Sequence, residues 1–455
     1  MKVLKFGGSS VAGANQIKQV TEIIRKRTRP EDIIVVSALG KDKERDVKVT
    51  DLLIQLFEAV SKNRCYKSIY EKVLRRHYSV IDSLELKREI IAQEVRELQM
   101  ALNEKKSKNK WCDQIVSFGE RMATKIIAAY LNKNGIKASP YNSYDLGLLT
   151  DSNFGNAKPL PDVYKRIKEN VKSIKGSLIV VTGFIGKDLD GDITTLGRGG
   201  SDYTAAIFAA ALDAEALEIW TDVSGIKTTD PKIVRNAKTI GEISYEEAKE
   251  LSYYGAKLHP KTILPAMKKN IPVYIFNTFD PEGPYTKITN RRVRSEGIVK
   301  GIMHSKGNYV ITISSPKMID ESGYLAKVFD IFGNNKISVD LVSTAESKIS
   351  VTVRGQNSDG LKKVIRELKK IDEEVKVSVD KNKSVIFVVG EGMKHVPGVA
   401  GKIFSAMGRE NINIELISQG ASEINISFVV DDKDAEKAVK VLHREYFEQN
   451  EELIR

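Results

Sequence analysis

Four short apolar runs, each passing through a turn of glycine or small residues, limit what the first part of this chain can fold into. Val3 to Phe6 leads into Gly7-Gly8-Ser9-Ser10 and a helical pattern from about Ala14 to Arg27. Ile33 to Ser37 ends in V-V-S-A-L-G, the run S-L-I-V-V-T reaches Gly183, and Ala216 to Trp220 precedes T-D-V-S-G-I. Apolar strands alternating with amphipathic helices predict a mainly parallel sheet covered on both faces, with ligands at the strands' carboxyl ends. Lys5-Phe6-Gly7-Gly8, Gly183, Thr221-Asp222 and Gly225 all fall at such ends, which points to one shared cleft.

Two of the turns have the composition of anion sites. The loop at Gly7-Gly8 follows a strand and opens a helix, the plan that cradles phosphates, without the spacing of a Walker or Rossmann loop. Lys5 sits inside the preceding strand, where burying an ammonium demands a paired anion; the alternative is an edge lysine whose head reaches water. Further on, Thr194 to Ala206 reads T-T-L-G-R-G-G-S-D-Y-T-A-A. Gly197, Gly199 and Gly200 allow a tight turn and close approach of a ligand, and Ser201 and Asp202 are expected to cap a helix over Tyr203 to Leu212. Free amides and the helix dipole there favour an anion, and Arg198 adds a fork for carboxylate or phosphate. From these residues alone an ordinary capped turn reads equally well.

Composition removes several classes of function. At 455 residues the chain is long enough for two to four units, and 41% hydrophobic with 29% charged residues is an ordinary globular mixture. The net charge of +12 is spread among 60 acids with no dense basic block, so a solvated surface, not nucleic-acid binding, is expected. Part of the excess suits a polyanionic small ligand. Cys65 and Cys112 fit neither a disulfide framework nor a metal-ligand spacing, and both are expected to be reduced and structural. No apolar run approaches membrane-spanning length and V-L-K-F follows Met1 and Lys2 directly, so the expectation is a cytoplasmic protein.

K-F-G-G-S-S, S-F-G-E-R at 117–121, V-T-G-F-I-G at 181–186, the 194–206 loop and W-T-D-V-S-G-I at 220–226 occur in this order along the chain. Together they resemble the aspartate kinases of the amino acid kinase family, over essentially the whole length. The resemblance implies an amino acid kinase fold, a parallel sheet sandwiched by helices, over 1–297 with a link at 278–297. It implies transfer of the γ-phosphoryl group of ATP to the β-carboxylate of L-aspartate, with Mg²⁺ carried on the nucleotide and no metal held by protein ligands alone. Lys5, Asp202 and Lys257 are the implied catalytic residues. Ser37, Thr50, Glu120, Arg198, Gly199, Gly200 and Ser201 would touch aspartate. Lys5, Gly7, Gly8, Ser9, Thr221, Asp222, Lys227, Lys232 and Lys257 would touch ATP.

Some positions depart from the family pattern or have a plainer explanation. Lys41 to Val49 is a charged segment longer than the family's usual link, G-A-K-L-H-P at 255–260 is one residue short, and Lys227 and Lys232 stand where relatives often carry Tyr and Arg. Thr229-Asp230-Pro231 reads equally as a turn. Glu120 opens a helix toward Leu131, where the dipole alone favours an acid; holding the substrate's ammonium is compatible with that. Residues 51–105 read as two or three packed helices that carry no chemistry.

Beyond 297 the sequence repeats itself at an offset of 75. G-Y-L-A-K-V-F at 323–329 matches G-V-A-G-K-I-F at 398–404, and I-S-V-D-L-V-S at 337–343 matches I-N-I-E-L-I-S at 412–418. The copies resemble paired ACT domains, ferredoxin-like βαββαβ modules that bind amino acids, over 298–380 and 381–455. The first is the more similar to those of lysine-regulated aspartate kinases, which implies Met318, Ser338, Val339, Asp340 and Thr344 as contacts for a lysine or threonine effector. A homodimer or dimer of dimers through these modules is expected; modules that only dimerise the kinase are the plainer alternative. Asp320 and Glu321, where His-Ser is often seen, suit either a lysine ammonium or simple solvation. Two other functions compete: a kinase acting on glutamate, and a catalytically silent amino-acid sensor.

Overall fold

The structure is a computed structural model that describes residues 1–42, 46–104, 106–254, 260–290, 297–355 and 358–448. The chain divides into two compact units. One comprises Met1–Ile226, Thr239–Tyr245 and Leu258–Arg291, and the other Lys227–Lys238, Glu246–Lys257 and Arg292–Arg455.

The first unit runs β1 (Lys2–Phe6), α1 (Ala14–Arg27), β2 (Ile33–Val36), α2 (Val49–Ser61), α3 (Lys67–Ser83), α4 (Ala92–Asn103), α5 (Lys108–Val116) and α6 (Phe118–Lys133). It continues with β3 (Ala138–Tyr141), α7 (Val163–Lys172), β4 (Leu178–Thr182), a hairpin of β5 (Ile185–Lys187) and β6 (Ile193–Thr195), α8 (Gly200–Ala211) and β7 (Ala216–Thr221). The last elements are β8 (Glu242–Ser244), α9 (Tyr245–Tyr254), which falls mainly in the second unit, α10 (Pro260–Lys268), β9 (Val273–Asn277) and β10 (Thr286–Thr289).

Eight strands form one sheet in the order β3-β4-β2-β1-β7-β9-β10-β8. Every pairing is parallel except β9 with β10. The expected sheet is therefore present, and β1 lies at its middle. Pleating sends alternate side chains to opposite faces. Leu4 and Phe6 enter a core built with α1 to α6, while Lys5 faces α8, whose residues 201, 202 and 204–211 are all buried. β10 lies inside the stretch 278–297 that composition marks as a link. Thr286 and Ile288 are fully buried there, so pairing with β8 and β9 outweighs the surrounding proline and glycine.

The second unit is built on a six-stranded antiparallel sheet. Its elements are β11 (Gly301–Ser314), α11 (Tyr324–Asn334), β12 (Val339–Ala345), β13 (Lys348–Arg354), α12 (Ser358–Leu368), β14 (Lys376–Val389), α13 (Val399–Arg409), β15 (Leu416–Gln419), β16 (Asn425–Asp431) and α14 (Ala435–His443). The strand order is β12-β13-β11-β14-β16-β15. The repeat is visible in the backbone: Gly323 and Gly398, 75 apart, both take left-handed φ (85° and 88°) to start α11 and α13. The two ferredoxin-like modules are interlocked. β11 and β14 are long enough to serve both, so that Gly301–Ser305 of β11 pairs with Val385–Val389 and supplies the second module's last strand. Among the described residues, no helix is long and apolar enough to cross a membrane.

Candidate active site

The loops at the carboxyl ends of β1, β2 and β4 interlock through backbone contacts. Ser37 N–H donates to Phe6 O (3.2 Å), Gly183 N–H to Val36 O (2.8 Å) and Gly40 N–H to Gly8 O (2.9 Å). Two positions require the absence of a side chain. A Cβ on Gly40 would lie 2.4 Å from Gly8 O, and one on Gly183 would lie 2.6 Å from Ser201 Cβ. These approaches bring Gly8, Ser37, Gly183 and Ser201 into one cleft.

Lys5 and Asp202 meet across it. Lys5 Nζ lies 2.5 Å from Asp202 Oδ1, both residues being at least nine-tenths buried. The contact is an ion pair whose angle falls outside hydrogen-bond geometry. Burial of the lysine is thus matched by an anion, as the strand position demanded. This corrects the expectation that Ser201 and Asp202 cap α8. The cap is Gly199, at φ 69°, with no side-chain cap bond, and Ser201 and Asp202 lie in the first turn. Asp202 is drawn to Lys5 by charge, which sequence proximity to a helix start does not reveal.

A 3-10 turn at Gly8–Val11 follows β1. Gly7 N–H is bonded to Trp220 O at 3.0 Å, so the amides of Gly8 and Ser9, first in that turn, are the ones without a partner inside it. Across the cleft, Glu120 on α6 is 3% exposed. One carboxylate oxygen accepts from Ala38 N–H at 3.1 Å, while the other is buried with no partner. Burial pushes its carboxyl up to about 8, against the lowering effect of the Ala38 amide. Thr50 is half-buried at the start of α2, next to the Val49 N–H that donates to Leu39 O at 3.1 Å. Arg198 is exposed at the rim, between two left-handed glycines, and makes no hydrogen bond or ion pair with the described residues.

Two supporting residues escaped sequence reasoning. Asp113 on α5 is buried and accepts from Gly155 N–H (2.8 Å), Thr195 N–H (2.7 Å) and the Thr195 hydroxyl (3.0 Å), so it braces β6 just ahead of the Gly197 loop. Its signal was an acid between Trp111 and Ile115 on the buried side of a helix. Phe184 holds φ at 69°, uncommon for an aromatic residue, and packs so closely on Gly200 that a Cβ there would lie 2.6 Å from its ring.

Thr221 and Asp222 close β7, with the Thr221 hydroxyl donating to Asp222 at 3.1 Å and Thr278 N–H bonding Thr221 O at 2.8 Å. Lys227 and Lys232 belong to the second compact unit, and 229–231 form part of a turn in which Lys232 N–H donates to Asp230 at 2.9 Å. Lys257 and His259 lie outside the described residues.

In the first ACT module, Met318, itself half-buried, ends a 3-10 turn, Ser338 immediately precedes β12, and Val339, Asp340 and Thr344 lie on that strand, the last in the sheet's order. Ser338 and Thr344 are exposed; the Asp340 side chain is buried and pairs with Arg354 at 3.6 Å. Glu321 is paired with Lys327 one turn into α11, whereas Asp320 is exposed. Among the described residues, no group of three or more His, Cys, Asp or Glu side chains is placed to hold a metal ion.

Residues 1–277 match the amino acid kinase family, and residues 311–370 and 386–446 match the ACT domain. The chain belongs to the amino acid kinase family. Within it, the similarity is to aspartokinases. The chain is 35% identical to chloroplastic aspartokinase 1 of Arabidopsis thaliana, over 98% of this chain and 80% of that protein. Among solved structures, the aspartate kinase of Clostridium acetobutylicum superposes with a TM-score of 0.84 at 33% identity, covering 98% and 100% of the two chains. Aspartokinase III of E. coli, 30% identical over 98% and 100%, gives 0.81 in complex with aspartate and ADP and 0.79 in complex with lysine and aspartate.

Proposed function

We infer that this chain is an aspartate kinase, transferring the γ-phosphoryl group of ATP to the β-carboxylate of L-aspartate to give 4-phospho-L-aspartate. Full-length similarity to aspartokinases, one of them solved with aspartate and ADP, supports the reaction. The observation that carries it to these residues is Glu120, a buried carboxylate with one oxygen unpartnered in the cleft that also holds Lys5. An unpartnered carboxyl oxygen in the cleft that also holds the Lys5 ammonium suits a substrate with its own ammonium and an anion to be phosphorylated.

The β-carboxylate, with an ordinary pKa of about 3.9, is ionised at neutral pH, so the reaction needs no general base. What opposes it is repulsion between that anion and the γ-phosphoryl group, which calls for fixed positive charge and aligned N–H donors around the transferring oxygens. Lys5 supplies the charge, and Asp202 fixes the direction of its Nζ. The Gly8 and Ser9 amides face the phosphates. Thr221 and Asp222 meet the nucleotide's other end, and the family resemblance alone assigns Lys257 to phosphate and Lys227 and Lys232 to the nucleotide. Arg198 clamps the α-carboxylate of aspartate, with Ser37, Thr50 and Gly199 to Ser201 lining the same side, while Glu120 takes the α-ammonium. Mg²⁺ carried in with the nucleotide would neutralise phosphate charge.

The ACT unit binds an amino-acid effector, and the E. coli relative solved with lysine supports lysine. β12, last in the sheet's strand order with exposed side chains along it, is the element at which a second copy completes the effector site, making a homodimer. Effector binding acts only by favouring one arrangement of the kinase over another.

Hydroxamate trapping with aspartate and glutamate in parallel, each with ATP and Mg²⁺, tests the reaction. Product from aspartate alone is expected. Product from glutamate alone, or from neither, replaces the inference with the glutamate kinase or the silent sensor.

A further inference from the structure

Arg76 lies on α3, in the helical segment whose composition suggested no chemistry. Its side chain is 17% exposed. Nη2 donates to two backbone carbonyls at once, Ala12 O at 3.1 Å and Gly40 O at 2.9 Å, and Nη1 lies 3.1 Å from Asp46. Ala12 follows the turn that carries the Gly8 and Ser9 amides. Gly40 ends the loop whose Ala38 N–H holds Glu120. One guanidinium nitrogen therefore joins the loop assigned to phosphate with the loop assigned to the amino acid.

The carbonyls it joins are buried and converge, two negative dipole ends aimed at one nitrogen. Without a donor between them they repel, and each becomes a buried acceptor with a lost bond. The direct backbone ties that remain are the Gly40 N–H to Gly8 O bond and, at the strand ends, Ser37 N–H to Phe6 O. Elsewhere α3 is anchored by a separate buried face of Val73, His77, Val80 and Ile81, so the helix keeps its packing without Arg76.

We propose that Arg76 is a positioning residue for phosphoryl transfer, setting the spacing between the loop at Gly8-Ser9 and the loop at Ser37-Gly40. It touches neither substrate; it fixes the distance at which the two anions meet. The inference rests on the aspartate kinase reading of the cleft.

The test compares wild type, Arg76→Ala and Arg76→Lys by steady-state kinetics with both substrates saturating, alongside thermal melting. Each loop keeps its own ligand contacts in Arg76→Ala. The loss should therefore fall on kcat, by about 10²-fold for a misalignment near 1 Å, with smaller changes in either KM and a nearly unchanged melting temperature. Arg76→Lys, whose ammonium can reach the carbonyls without the planar fork, should lie between the two. Added guanidinium ion at millimolar concentration should restore part of the Arg76→Ala rate. A folded Arg76→Ala chain with wild-type kcat overturns the inference, as does a loss that follows melting alone and is not relieved by guanidinium. If Arg76→Ala does not fold, Arg76→Lys decides: a folded chain with reduced kcat supports positioning, and wild-type kcat overturns it. A wild type inactive on aspartate overturns the kinase reading, and this inference with it; an active wild type matched by Arg76→Ala overturns this inference alone.

Discussion

The proposed catalytic cleft and the proposed effector edge are built in opposite ways. In the cleft, apart from Arg198 at the rim, the ionisable residues are buried and already engaged: Lys5 in an ion pair with Asp202, and the Glu120 carboxyl accepting from the Ala38 amide. At β12 the positions assigned to the effector lie on or beside the last strand of a sheet, with Ser338 and Thr344 exposed and the Asp340 side chain buried. The cleft's described residues are held by contacts within one chain, as catalysis by fixed charge requires. The strand offers exposed side chains instead of buried, paired charge. Substitutions in the first region should therefore act on turnover, and those in the second on response to effector and on assembly.

The sharpest break of that contrast is Lys5→Ala. Removing the buried ammonium from the transfer step should lower kcat by about 10³-fold or more, read by hydroxamate trapping, with the chain still folded. Near-normal turnover would place the charge that drives transfer elsewhere. Next is Arg198→Ala, at the exposed rim. Losing a charge-assisted pair worth about 1.5–3 kcal/mol should raise KM for aspartate roughly 10- to 100-fold, with a smaller effect on kcat and on KM for ATP. An equal fall in kcat would mean that Arg198 acts on the transferring group. The smallest effect on basal rate is expected for Asp340→Asn, which should turn over at the wild-type rate while lysine inhibits it less. Unchanged lysine inhibition, measured as the concentration for half-maximal effect, would remove Asp340 from the effector site.

Much of the kinase cleft could be read before the fold was known, because its chemistry is carried by local signals. β1 and β2 lie within a residue of the apolar runs, and α1 spans Ala14–Arg27 as its periodicity predicts. What escaped depends on contacts distant in sequence. Asp202 next to a helix start looks like a cap until Lys5, almost two hundred residues earlier, is found beside it. Residues 286–289 look like linker because their burial comes from partners distant in sequence, β8, β9 and the backbone at Ile226 and Ile240. The strand at Gly301–Ser305 serves the second repeat, which a repeat read in sequence order does not show. Arg76 carries no motif at all: its partners are two carbonyls, which leave no trace in composition.

Glu120 offers the most direct test of the claim that aspartate completes this cleft. Burial raises its carboxyl to about 8, so below that pH the empty cleft holds it mostly protonated, whereas an ammonium beside its free oxygen favours the carboxylate. Aspartate binding should thus expel a proton, and the apparent affinity should improve roughly tenfold per pH unit up to about 8 and then level off. Calorimetry of aspartate binding at pH 7, in two buffers of different ionisation enthalpy, reads this directly. Release of close to one proton by the wild type, abolished in Glu120→Gln, is the predicted result; binding with no proton release, or the same release from Glu120→Gln, would contradict it.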